Sequence, residues 1–296
     1  MKKLLAFALS LTLVFTLAAC GGGSDSEFSE YPEIVGIESG AGIMEATDTA
    51  IEEYDLNMDL QTSSGPAMVS ALGDAIENEE WVVVTGWTPH YKFAEYDLKF
   101  LEDPEGVYGE EEDLYTIARS GLEDDDPDLV TFLENFYMEE TELGDLMGEI
   151  AENDDDDTID IARAWMEDNE DVWEEWIPEG IDGEGTELNI PYVNWAEGVA
   201  MTHLVQALLI DEMGYDVEVT QADAGPIFQD VSSADDFGES DFFLDAWFPV
   251  THQSYRDKHE GDFDEIGVNF EGARIGLVVP EYVDIDSIDE LNDYLD

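Results

Sequence analysis

Three tryptophans stand where the chain is expected to leave a strand. Val82-Val83-Val84-Thr85-Gly86-Trp87-Thr88-Pro89-His90 is a β-branched run closed by Gly, Trp, Pro and His. That is the pattern of a buried strand delivering an indole and an imidazole into a loop. Phe242-Phe243-Leu244-Asp245-Ala246-Trp247-Phe248-Pro249-Val250-Thr251-His252 repeats it, with Trp87 and Trp247, like Pro89 and Pro249, 160 positions apart. Tyr192-Val193-Asn194-Trp195 supplies a third indole. Indole faces are electron-rich, so a box of them suits a quaternary ammonium, a cation with no proton to share. At ~0.5–2 kcal/mol each, three contacts give at most ~6 of the ~8 kcal/mol that micromolar binding requires. An anion-holding element should supplement them. The backbone amides of Gly42 and Ile43 at a helix start, together with the His252 side chain, could hold the carboxylate of a zwitterion.

The elements that must position these residues come in two similar sets. Residues 33–43 read as a strand and a Gly-containing loop, followed by a helix from about Met44 to Glu53. Gly40 and Gly42 let the backbone approach a ligand, and the helix start offers free N–H groups. A strand at Leu56–Thr62, a helix at Gly65–Ile76 and the strand ending at Trp87 follow. The order restarts at Leu188: strand, helix opening at Ala196, strand at Val217–Thr220, helix from Ala224, and the strand ending at Trp247. Alternating strands and helices predict parallel sheets covered on both sides. Leu114–Arg119 and Ile275–Pro280 are the expected crossing segments. The fold class is α/β: a two-lobed receptor, each lobe a sheet flanked by helices, with two hinge crossings and the ligand between strand ends. Lobe 1 is expected over 31–116 plus 280–296, and lobe 2 over 117–279. Between the two sets, residues 127–177 read as helices, with Trp165, Trp173 and Trp176 as packing residues. His90 is expected to be a structural hydrogen-bonder, His203 a helix residue and His259 a surface residue.

The first residues carry an address. Lys2 and Lys3 precede an apolar run from Leu4 to Ala18, then Leu17-Ala18-Ala19-Cys20 and a glycine run. This is a secretion signal too short to span a membrane. Residues 1–19 are expected to be removed, and Cys20 to be lipidated as in a bacterial lipobox. A plain signal peptide with an incidental Cys is the alternative. Residues 20–30 read as a flexible tether. Cys20 is the single cysteine, so no intramolecular disulfide exists. The expected location is the cell membrane, anchored by lipid and facing the extracellular or periplasmic side.

Charge narrows the setting further. The chain has 76 acidic and 9 basic residues, a formal net charge of −67, yet 44% of it is hydrophobic. That apolar content argues against disorder. At about 1 M salt the Debye length falls to ~3 Å and the self-repulsion is largely screened, so the composition fits a halophilic setting. Nucleic acid is excluded as a partner for want of a basic patch. Calcium sites are the rival use of the acids, but Asp154-Asp155-Asp156-Asp157 lacks the Gly and terminal Glu of an EF-hand loop. No metal or cofactor is expected. No nucleophile–base pattern supports an enzyme.

Several stretches together resemble the substrate-binding lipoproteins of glycine betaine ABC importers. They are Gly36–Met44, Thr85–His90, Tyr192–Trp195, Gln221–Pro226, Ala246–His252 and Gly276–Pro280. Ser39 stands where these proteins often carry Pro, and Tyr91 where Trp is frequent. The resemblance implies a periplasmic-binding-protein fold of type II. It also implies a Trp prism of Trp87, Trp195 and Trp247 around a trimethylammonium group, with the carboxylate on the Gly42 and Ile43 amides and His252. The implied partners are glycine betaine, a membrane permease and its ATPase, with the receptor a monomer. Proline betaine, carnitine and choline are the alternative ligands, choline being disfavoured because it lacks a carboxylate. A sensory receptor without transport is the alternative role.

Overall fold

The computed structural model describes residues 32–153, 157–233 and 240–294, and its buried strands form on apolar and β-branched runs such as Val83–Thr88 and Phe242–Phe248. The first set comprises β1 (Glu33–Val35), α1 (Gly42–Glu53), β2 (Asp59–Gln61), α2 (Gly65–Glu77), β3 (Val83–Thr88), α3 (Lys92–Glu95) and β4 (Leu98–Phe100). Next come β5 (Glu112–Arg119) and a helical stretch of α4 (Leu122–Asp125), α5 (Pro127–Asn135), α6 (Glu140–Glu152), α7 (Thr158–Asp168) and α8 (Glu170–Trp173). The second set is β6 (Glu187–Tyr192), α9 (Ala196–Asp211), β7 (Asp216–Gln221), α10 (Ala224–Val231) and β8 (Phe242–Phe248). The chain closes with α11 (Gln253–Lys258), β9 (Phe263–Pro280) and α12 (Leu291–Tyr294). The signal segment 1–19, the Cys20 lipobox, the whole 20–30 tether and the Asp154–Asp156 acids lie outside the described residues.

Local rules account for the helices that flank the site. Ser64 caps α2 by accepting the Ala67 N–H, and Pro66 sits in the first turn, where its missing N–H costs nothing. Met68 and Leu72 then point into the core. Helix α9 is apolar on nearly every side, because it is enclosed by α6, α7 and the strands of its own lobe.

Each set builds a sheet. In the first lobe β2, β1 and β3 are parallel. The second half of β9 runs antiparallel to β3, from Val84↔Val278 to Thr88↔Arg274, and β4 pairs on its other side. In the second lobe the first half of β9 pairs antiparallel with β5, and β5 with β8. The parallel pair β6–β7 adjoins β8: the Asp241 N–H donates to the Asn189 carbonyl at 2.9 Å, and the Asn189 N–H to Asp241 Oδ2 at 2.9 Å.

Two expectations need amending. The sheets are mixed, because the segments joining the lobes return antiparallel beside the parallel strands. The crossing strand expected over 275–280 begins at Phe263, and its partner changes from β5 to β3 between Ala273 and Arg274. The lobe boundaries expected after residues 116 and 279 therefore fall inside β5 and β9. The buried Asn269 ties three strands of the second lobe together by donating to Thr116 Oγ1 of β5 at 3.0 Å and to the Leu244 carbonyl of β8 at 2.6 Å.

Candidate functional site

Strand β3 is buried along most of its length and ends by turning Trp87 inward beside Ile275 of β9. Strand β8, buried throughout, does the same with Trp247. Trp195 is the residue before the first turn of α9. These three segments bring their indoles to one small cavity, with Ile37, Ile43 and Ile275 filling the walls between them. Trp87, Trp195 and Trp247 are 3%, 5% and 2% exposed, so the space they line is nearly sealed from solvent.

Each indole N–H is held by a carboxylate. Trp87 Nε1 donates to Glu197 Oε2 at 2.8 Å, Trp195 Nε1 to Glu38 Oε1 at 2.5 Å, and Trp247 Nε1 to Asp245 Oδ1 at 2.7 Å. The first two bonds cross between lobes in opposite directions: Trp87 and Glu38 come from the first, Glu197 and Trp195 from the second. An acid accepting an indole N–H fixes the ring plane and adds negative potential beside it, which favours a cation over the faces. Burial raises the Glu38 carboxyl above its ordinary pKa, opposed by its hydrogen bonds. Glu197 is raised much further by full burial and by Asp245 nearby.

Of the three residues expected to hold a carboxylate, Ile43 lines this cavity, while Gly42 precedes it in the chain and His252 follows Thr251, another lining residue. Gly42 and Ile43 open α1, where their N–H groups have no intrahelical acceptor. A Cβ on Gly42 would stand 2.2 Å from the Thr251 carbonyl oxygen across the lobe boundary, so only glycine permits this approach. Next to Thr251, His252 is fully buried and stacks on Trp195, with ring centroids 5.7 Å apart. Its Nδ1 accepts the Trp247 N–H at 3.0 Å, so the neutral ring carries its proton on Nε2. That Nε2 has no partner, and burial pushes the His252 pKa down to about 3. Glu112 holds the Thr251 loop, accepting the Val250 and Thr251 N–H groups at 3.0 and 2.9 Å.

The remaining aromatic and histidine expectations resolve separately. His90 packs edge-on against Trp87 at 4.7 Å and accepts the Lys92 N–H at 3.1 Å, a structural role. His203 lies on α9 with Nδ1 2.8 Å from the Val199 carbonyl oxygen. His259, expected at the surface, is buried at the end of α11. Trp165, Trp173 and Trp176 are buried away from the cavity, Trp176 edge-on against Phe136.

Sequence reasoning passed over the carboxylates and Lys92. Asp245 had a signal, since it is the one acid in the otherwise apolar run Phe242–Phe248 and shares a strand face with Trp247. Glu38, Glu197 and Lys92 had none.

Compared with known families, residues 20–168 and 186–296 match the substrate-binding domain of ABC-type glycine betaine transport systems. The chain belongs to this family. This substrate-binding domain is 38% identical over 303 residues to the glycine betaine/carnitine transport binding protein GbuC of Listeria monocytogenes, covering 98% of each chain. It shares 36% identity with lactococcal OpuAC in its closed form with glycine betaine, over 49% of this chain and 57% of that one, at a TM-score of 0.46. The corresponding values for the glycine betaine/L-proline-binding protein ProX of Borrelia burgdorferi are 30%, 50%, 56% and 0.45. Membership makes the protein the extracytoplasmic binding component of an ABC importer rather than an enzyme. Among its described residues no helix is long and apolar enough to cross a membrane.

Proposed function

We propose that this receptor binds glycine betaine between its lobes, with Trp87, Trp195 and Trp247 around the trimethylammonium group. The ligand carboxylate is held by the Gly42 and Ile43 amides and His252 Nε2. The observation that carries this reading is three indoles from separate segments on one small cavity, one of them, Trp195, stacked on a buried imidazole whose N–H has no partner. An unpaired buried donor costs about 1–3 kcal/mol, which a ligand carboxylate recovers. The Listeria relative binds glycine betaine and carnitine by name, and both ligands carry the same two charged ends.

In this reading Cys20 carries the lipid and the following residues tether the receptor to the membrane. The closed form docks on a permease driven by an ATPase, in concentrated salt. Calorimetry in about 2 M KCl with glycine betaine, proline betaine, carnitine and choline tests the ligand. Glycine betaine should bind most tightly, and Trp87→Ala should weaken binding by up to about 30-fold. Failure of all four to bind would remove the ligand assignment, and choline binding as tightly as glycine betaine would remove the carboxylate site.

A further inference from the structure

Lys92 is the most unusual charge in this molecule. It is fully buried, and its Nζ lies 4.1 Å from the centroid of the Trp87 ring and 5.3 Å from that of Phe93. Its ammonium has no hydrogen-bond partner. The Nζ stands over one face of the Trp87 ring, and Lys92 is not among the residues that line the cavity with Trp87. At the edge of the same ring Glu197 uses Oε2 for the indole N–H and leaves Oε1 without a partner. Asp245 does likewise with Trp247, leaving Oδ2 bare. Gly198 lets Asp245 reach this place, since a Cβ there would stand 2.5 Å from Asp245 Oδ2.

We propose that Lys92, Glu197 and Asp245 form a charged layer around the Trp87 and Trp247 rings that sets how strongly the cavity holds a cation, with Lys92 as an internal competitor on the Trp87 ring. The inference rests on the quaternary-ammonium reading above and deepens it. A cation on one face of an indole draws on the same electron density that a second cation needs on the other face. The two carboxylates oppose Lys92 by adding negative potential at the ring edges.

Protons act on this layer in a single direction. Acidification charges Lys92 and neutralises Glu197 and Asp245, and each step makes the surroundings of the cavity less hospitable to a cation. Burial brings all three toward the working range: Lys92 is lowered to about 7, Asp245 is raised to about 7, and Glu197 is raised well above a usual glutamate. Around Lys92, its own turn contributes His90, α9 contributes Glu197, and β8 contributes Asp245 behind Glu197. His90 is buried and held well below the usual imidazole range, so it stays neutral across that interval. His252 does too.

The test is calorimetry with glycine betaine at pH 6, 7 and 8.5 in about 2 M KCl, on wild type, Lys92→Met and Lys92→Arg. A like charge on the same ring, at an effective dielectric of about 20, changes affinity roughly tenfold. Wild-type affinity should therefore rise roughly tenfold from pH 6 to 8.5. Lys92→Met should bind roughly tenfold tighter than wild type at pH 6 with a flatter profile, and Lys92→Arg should stay weak throughout. Wild-type affinity that is flat with pH, or Lys92→Met matching wild type at every pH, overturns the proposal.

Because Lys92→Met can also disturb folding, a second measurement uses the ligand-free wild type. Lys92, Lys99 and Lys258 are the lysines beyond residue 20. Carbon NMR of their Cε groups should show one titrating near neutral pH, with the Trp87 indole resonance following it. All three titrating above about pH 10 overturns the layer. Wild type binding no betaine refutes the function proposed above, while this titration still judges the layer by itself.

Discussion

Replacing Glu38 by Ala removes an acceptor that the first lobe offers to Trp195 of the second. The Trp195 Nε1–Glu38 Oε1 bond is 2.5 Å long and partly buried. Because donor and acceptor belong to different lobes, the bond exists only while the lobes are together, and its loss falls on the liganded state. A hydrogen bond to a charged group contributes about 1.5–3 kcal/mol. Partial exposure selects the lower end, and about 1.5 kcal/mol corresponds to roughly a tenfold rise in Kd. Stopped-flow tryptophan fluorescence should place most of the change in a faster dissociation rate, because association is set by ligand entry. Glu38→Gln keeps an acceptor oxygen and should recover about half of the loss. The melting temperature of the ligand-free protein should not move, since the separated lobes leave Glu38 in water. A Glu38→Ala variant whose Kd stays within about twofold of wild type would refute the reasoning.

Three further outcomes follow from the same geometry. Gly42→Ala places a methyl group where the Thr251 carbonyl approaches, so it should weaken betaine binding by at least about 100-fold, roughly 2.7 kcal/mol, while leaving the ligand-free melting temperature unchanged; scattering with and without ligand should show no compaction. The His252 pKa is depressed from 6.5 to about 3, so its stabilising effect is complete above about pH 6.5 and is lost as pH falls toward 3; melting curves should show acid lability in that window, smaller in His252→Gln. Raising KCl from about 0.1 to 2 M shortens the Debye length from ~10 Å to below ~3 Å and should raise the melting temperature by about 2–4 °C for each kcal/mol of repulsion relieved; a flat profile would refute the reading of the charge as salt adaptation.

The cavity walls were legible because strand ends announce themselves. Trp87 and Trp247 follow buried β-branched or apolar runs and precede prolines, and the repeat at 160 positions tied them together. The carboxylates behind them were not, because an acid carries little information in a chain with 76 of them. Burial singles out Glu197 and Asp245, and burial depends on which helix covers which strand. Lys92 was hidden for the same reason, since its turn has no periodicity to show which way the side chain points. The first half of β9 escaped because Asp264, Glu265 and Glu271 interrupt its apolar pattern; its pairing with β5 outweighs the weak local preference of those residues.

One continuous strand belongs to both halves of the receptor. β9 is laced to β5 up to Ala273 and to β3 from Arg274 onward, and Gly272, with a φ of +79°, lies at the register shift just before the change. Neither half can slip lengthwise past the other without tearing one ladder or the other, so sliding is forbidden and only a change of angle is cheap. Solute therefore enters as into an opening book, whose spine keeps the facing pages in register at every angle.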